Sequence, residues 1–162
     1  MALEHEYELP PAELFAAVTD PDYLAARNAR FGGVGTPQVD DVDDTVVVRI
    51  SRQLPADKVP GPVRPFLGDG VIVLVDTWTP PADDASPVTA TWRADVANAP
   101  AQLGGEHLIE PTDDGSRYTI TVDVSIKIPF VGRKLEQQVA GYLDSLISKE
   151  LDYLAEWISE NR

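Results

Sequence analysis

Residues 2–9, ALEHEYEL, alternate strictly between apolar and acidic positions. Leu3, His5, Tyr7 and Leu9 share one face, and Glu4, Glu6 and Glu8 share the other. A period of two over this length predicts a half-buried strand. Pro10-Pro11 ends it, and the AELFAAV run at 12–18 predicts a short helix with proline in its first turn. Thr19-Asp20-Pro21 breaks that helix and caps a second one over 22–30. Gly32, Gly33 and Gly35 then release the chain.

Six further strands are predicted at 36–42, 45–54, 70–79, 88–96, 103–110 and 116–128, where β-branched residues recur between turn signals. They pair as hairpins across an Asp-rich turn, across TPPADDASP and across PTDDG. The stretch 55–69, PADKVPGPVRPFLGD, carries too many prolines for a central strand and reads as a loop. At the end of the chain Pro129 closes the last strand, because it has no N–H and holds Ile128 extended. From about 131 to 158 the period changes to 3.6. Leu135, Val139, Tyr142, Leu143, Leu146, Ile147, Leu154, Trp157 and Ile158 fall on one broad arc, with Lys134, Gly141, Ser145, Ser148, Asp152 and Glu156 opposite. Such a helix is about 42 Å long, whereas an eight-residue strand reaches only about 27 Å. Its apolar arc therefore needs a partner as long as a whole sheet. The expected fold is α+β: a curved seven-stranded antiparallel sheet wrapped around a long C-terminal helix, with two short helices between strands 1 and 2.

The order β-αα-β6-α resembles the helix-grip fold of the START-like (SRPBCC) superfamily, which includes birch-pollen-allergen-like proteins, polyketide cyclases and lipid-transfer domains. The segments LPADKVPGPVRPFLGDG, VDTWTP, HLIEPTDDGSR and IPFVGRKLE look like an uncharacterised actinobacterial family within it. The resemblance covers essentially the whole of 1–162 as one START-like domain. It implies an internal cavity between helix and sheet, suited to small apolar ligands. It carries over no catalytic residue set.

Composition narrows the function classes. The 162 residues contain no cysteine, which excludes disulfides, thiolate catalysis and cysteine zinc sites. The net charge of −14 disfavours nucleic acid and anionic membranes as partners. No apolar run reaches the roughly 18 residues of a membrane span, and the N-terminus has no basic-then-apolar leader. A cytoplasmic location is expected. There is no G-x-S-x-G, P-loop or G-x-G-x-x-G, so no cofactor is expected.

Antiparallel connectivity sorts the charges. One end collects the turns at 40–44, 80–87 and 111–115, with Asp40, Asp41, Asp43, Asp44, Asp83, Asp84, Asp113 and Asp114. Aspartate suits turns, and no EF-hand spacing marks a calcium loop. The other end collects the loops at 31–35, 55–69, 97–102 and 128–132. Arg27, Arg30, Lys58, Arg64, Lys127, Arg133 and Lys134 lie nearby, seven of the thirteen basic residues. A cationic rim there would attract an anionic amphiphile whose tail enters the cavity. The 55–69 loop carries Val59, Val63, Phe66 and Leu67, and with Gly132 at the helix start it reads as an entrance that packs over the open end of the core.

Polar residues on apolar faces are the remaining clues, since burial without a partner is costly. Glu136 and Glu150 lie inside the apolar arc of the helix, and Glu150 reads as a structural ion pair. His5 and His107 point inward but are separated by a strand, which is too few converging ligands for a metal site. Trp78 and Trp92 lie on neighbouring strands. The candidate ligand contacts are His5, Tyr7, Trp78, Trp92, His107, Glu136 and Tyr142. Three functions fit: binding of a small hydrophobic or amphiphilic ligand, cyclase- or dehydratase-like proton transfer by an inward Glu or His, and protein interaction around a filled core. Cavity volume separates the third from the first two.

Overall fold

A computed structural model describes residues 1–95 and 100–161. Strand β1 (Ala2–Tyr7) is followed by α1 (Pro11–Val18) and α2 (Pro21–Arg30). The strands β2 (Gly33–Val42), β3 (Thr45–Gln53), β4 (Val71–Thr79), β5 (Val88–Asp95), β6 (Ala101–Thr112), β7 (Gly115–Thr121) and β8 (Asp123–Ile126) come next. The chain closes with α3 (Gly132–Asn161), 30 residues and about 45 Å long. All pairings are antiparallel, in the order β1-β7-β6-β5-β4-β3-β2, with β8 also on β6. This is the helix-grip arrangement, with two short helices after the first strand.

The last predicted strand differs in one respect. It is split at Val122 into β7 and β8, although both halves keep the same register on β6. The ladder bonds at the break are diverted. Trp92 Nε1 donates to the Thr121 carbonyl at 2.9 Å, and the Glu106 amide donates to Thr121 Oγ1 at 2.9 Å. The indole can reach across only because Gly105 stands opposite Trp92, where a Cβ would lie 1.9 Å from the Thr121 carbonyl oxygen. Strand β6 also begins two residues earlier than predicted, at Ala101, and most of the remaining 97–102 connection lies outside the described residues.

The hairpin registers carry the Asp-rich turns to one end of the sheet, as antiparallel connectivity requires. Asp83 acts there as a turn cap: its Oδ1 accepts from the Ala85 and Ser86 amides and from the Ser86 hydroxyl. Those bonds favour the charged form and hold its pKa below the usual carboxylate value.

The apolar side chains form two clusters. The larger joins the sheet to α1, α2 and the second half of α3 through Leu14, Leu24, Val48, Trp78, Ile109, Ile147, Leu151 and Leu154. The smaller joins the 59–67 segment, β8 and the first turn of α3 through Val63, Ile126 and Leu135. The helix enters this second cluster closely, since a Cβ on Gly132 would meet the Ile126 carbonyl oxygen at 2.4 Å.

Candidate functional site

Between the two clusters lies a cavity of about 200 Å³, under the middle of α3 from Val139 to Leu154 and against the concave face of the sheet. Ile50, Ile72, Leu74, Ile120, Val124 and Ile126 line the strand side, and Val139, Leu143, Leu146 and Ile147 line the helix side. It runs outward to Pro55, Lys58, Val59 and Leu67 of the 55–67 loop. Pro55 and Lys58 are exposed, so this loop forms its outer margin.

Polar groups occupy the interior wall. On β3, Arg52 shares the inward face with Val48 and Ile50 and forms a buried ion pair with Glu150 of α3. Their side chains are 7% and 14% exposed. On β4, Asp76 shares the inward face with Ile72, Leu74 and Trp78. Its Oδ1 lies 3.5 Å from His107 Nε2. The other imidazole nitrogen, Nδ1, is 2.8 Å from the Tyr118 hydroxyl, and the ring stacks on Trp78 at 4.9 Å. A carboxylate only accepts, so the proton is assigned to Nε2, and Nδ1 accepts from Tyr118. Burial, reinforced by Asp76, pushes the Tyr118 pKa well above the phenol value.

Arg27 of α2 turns into the same space, one helical turn after Tyr23, and its guanidinium carbon is 5.6 Å from the Tyr23 ring centroid. Burial alone would lower the Arg27 pKa. The nearby acidic groups Tyr23, Glu150, Asp76 and Tyr118 more than offset that, so the guanidinium stays charged. Tyr23 is pushed up to about 12, chiefly by burial. The Nε atoms of Arg27 and Arg52 are buried with no hydrogen-bond acceptor among the described residues.

The structure brings some of the sequence-predicted residues together and separates others. Trp92, His107 and Tyr142 border the cavity, with Val59 and Leu67 at its margin. Trp78 is fully buried behind His107, packed edge-on against Phe15 at 5.8 Å. Tyr7 lies under the second half of α3, where its hydroxyl donates to the Leu151 carbonyl at 2.7 Å. His5 sits beside it near the sheet edge, 4.5 Å from the Tyr7 ring and 3.6 Å from Asp152. Glu136 turns back to accept from the Ile126 amide at 2.9 Å, and so ties α3 to β8. Gly132 is buried against β8, and Phe66 is exposed on the outside of the loop. Glu150 forms the ion pair expected of it. Two of the basic residues assigned to the rim are engaged elsewhere: Arg27 faces inward, and Arg30 lies 3.7 Å from Glu156 and over the Tyr153 ring at 4.8 Å.

Arg52, Asp76, Tyr118 and the inward course of Arg27 are the features the sequence reading missed. The signal for the first three was present. Each is a polar residue in phase with the apolar face of its strand, the same criterion that singled out Glu136 and Glu150 on the helix.

A concave antiparallel sheet closed by one long helix over a partly polar cavity is the helix-grip fold. The solved structures it resembles agree on this fold. A START superfamily protein from Mycobacterium smegmatis matches with a TM-score of 0.56 at 13% identity, covering 98% of this chain and 97% of that one. The Zhui aromatase/cyclase from Streptomyces sp. R1128 matches with a TM-score of 0.58 at 12% identity, covering 96% and 92%. The chain belongs to the family described as "Protein of unknown function (DUF2505)", whose model matches residues 2–158. Uncharacterized protein Rv0481c of Mycobacterium tuberculosis is 29% identical over 172 residues, covering 96% of this chain and 94% of the relative. Among the described residues no helix is long and apolar enough to cross a membrane.

Proposed function

We propose that this protein binds a small, mainly apolar molecule in the cavity between its sheet and α3. The observation that supports this reading is the cavity itself. A protein-interaction module has no need of about 200 Å³ of open interior walled by both aliphatic and ionic side chains. The 55–67 loop is the entrance, and Trp92, His107 and Tyr142 are contacts in the wall. Native mass spectrometry of protein purified from its own host should show a bound mass of a few hundred daltons, released on denaturation. A thermal-shift screen of amphiphiles should raise the melting temperature for a subset of them. Protein that carries no ligand, and shifts with none, would overturn the reading.

A second reading is favoured by one specific arrangement, the Asp76–His107–Tyr118 line facing the cavity. Here the Tyr118 oxygen takes a proton from the carbon next to a bound carbonyl as its own proton passes to His107 Nδ1, and the reverse transfers return it, with Asp76 on Nε2 orienting the ring. The test is deuterium uptake at the methyl group of methyl naphthyl ketone in heavy water. His107→Asn should stop uptake, a far larger effect than its weakening of binding. Uptake at the uncatalysed rate with the unmodified protein would remove this reading without touching the first.

A further inference from the structure

We propose that the occupant carries an uncharged carbonyl group and is held with that oxygen inside the cavity, beside the guanidinium groups of Arg27 and Arg52. The inference rests on the cavity being a ligand site and goes on to name the chemistry of the ligand and its direction of entry. Both Nε atoms are buried and lack an acceptor among the described residues, and both arginines line the same cavity. The Arg52 side chain is only 7% exposed and already uses Nη2 on Glu150. Guanidinium groups only donate, so the complement of this pair is an acceptor. A buried donor without a partner is costly, which makes an acceptor-bearing ligand more favourable here than a hydrocarbon of the same shape.

Charge decides between a carbonyl and a carboxylate. Lys58 stands at the exposed margin of the cavity, and the interior wall holds two guanidiniums, Arg27 and Arg52, and two carboxylates, Asp76 and Glu150. Their formal charges cancel. A carboxylate would add an unbalanced negative charge to a poorly hydrated space, where a lone charge is expensive. A ketone, ester or amide oxygen satisfies the donors and adds none. This reverses the direction suggested by a cationic rim: the polar end goes in first, and the apolar body lies against Leu143, Leu146 and the 55–67 loop.

Calorimetric titration of the intact protein with three probes of one shape tests this. The probes are methyl naphthyl ketone, ethylnaphthalene and naphthoate. The ketone should bind about tenfold tighter than ethylnaphthalene, the scale of one hydrogen bond to a charged donor. It should also bind more tightly than naphthoate. In Arg27→Met the ketone advantage should fall and ethylnaphthalene affinity should hold. The variant carrying both Arg52→Met and Glu150→Met keeps the charges balanced and should reduce the same advantage, which provides a second test should Arg27→Met fail to fold. Equal affinities for ketone and ethylnaphthalene would overturn the inference and leave the cavity reading standing. Naphthoate binding tightest would overturn the requirement for an uncharged ligand. If neither neutral probe binds, the cavity reading falls and takes the inference with it.

Discussion

The two halves of α3 carry the same amphipathic pattern and play different parts. In the second half, Ile147, Leu151 and Leu154 are buried at 8%, 4% and 1% exposure. Tyr7 donates to the Leu151 carbonyl, and Tyr23 packs edge-on against Trp157 at 5.4 Å. This half clamps the helix to β1 and α2. In the first half only Gly132 and Leu135 are buried, both against β8, and Val139, Tyr142, Leu143 and Leu146 are half-buried over the cavity, which reaches under the clamp as far as Leu154. An apolar stripe therefore records which face turns inward but not whether that face meets packed side chains or open space.

The largest expected effect breaks the clamp. Leu154→Ala leaves a hole in a close-packed cluster and should cost about 4 kcal/mol, read as a lower urea midpoint. Leu146→Ala, the same truncation in the roof, should cost under about 1 kcal/mol, because its side chain is only half-buried. It should also enlarge the cavity and change probe affinity. Equal losses at the two positions would erase the distinction between the halves.

Glu150 stands near the boundary between clamp and roof. Glu150→Gln leaves the Arg52 guanidinium buried without its counter-ion and should cost about 3 kcal/mol. Replacing both members of the pair by methionine should cost much less, since no lone charge is left behind.

The clamp should also release in alkali. Burial raises the pKa of Tyr7 and Tyr23, the two tyrosines that grip the second half of α3. The fold favours the neutral phenol, so this contribution is intact below the ordinary tyrosine value of 10.0 and is lost as pH rises from there toward about 12 for Tyr23. The loss from Tyr23 is on the order of 2 kcal/mol. Urea midpoints measured across that window should fall, and the tyrosinate absorbance of Tyr7 and Tyr23 should appear together with unfolding rather than before it. Ionisation of Tyr7 and Tyr23 at the ordinary value, with the fold intact, would contradict the packing described for the clamp.

Most of the fold was legible because it depends on periodicity. The alternation in ALEHEYEL, the proline-closed hairpins and the long 3.6-residue stripe each permit one placement relative to the core. The residues assigned to the two helix faces fall as expected, with Lys134, Gly141, Ser145, Ser148, Asp152 and Glu156 all exposed. The split at Val122 was not legible, because it depends on a tryptophan two strands away reaching over Gly105. The candidate site was legible only in part. Inward phase located Trp92, His107 and Tyr142 on the right faces. Phase could not say that Tyr7 lies under the clamp and not the roof, nor that Glu136 bonds a backbone amide. Arg27 was misplaced for a different reason. Its long stem lets the charge lie several ångströms from the point its helix position suggests.

The smallest expected effect concerns how the roof is hung. The turn into α3 places Phe130 at φ +71°, a left-handed conformation that disfavours a Cβ, and its side chain is wholly exposed. Phe130→Gly removes that strain and loses no packing, but it gives the unfolded chain more freedom. The two effects nearly cancel, leaving a net change within about 0.5 kcal/mol. Probe affinity should not change, because the roof is fixed further on, by Gly132 against the Ile126 carbonyl and by Glu136 on the Ile126 amide. Gly132→Ala should therefore weaken probe binding where Phe130→Gly does not. A loss of affinity in Phe130→Gly alone would move the anchor of the roof from β8 to the turn itself.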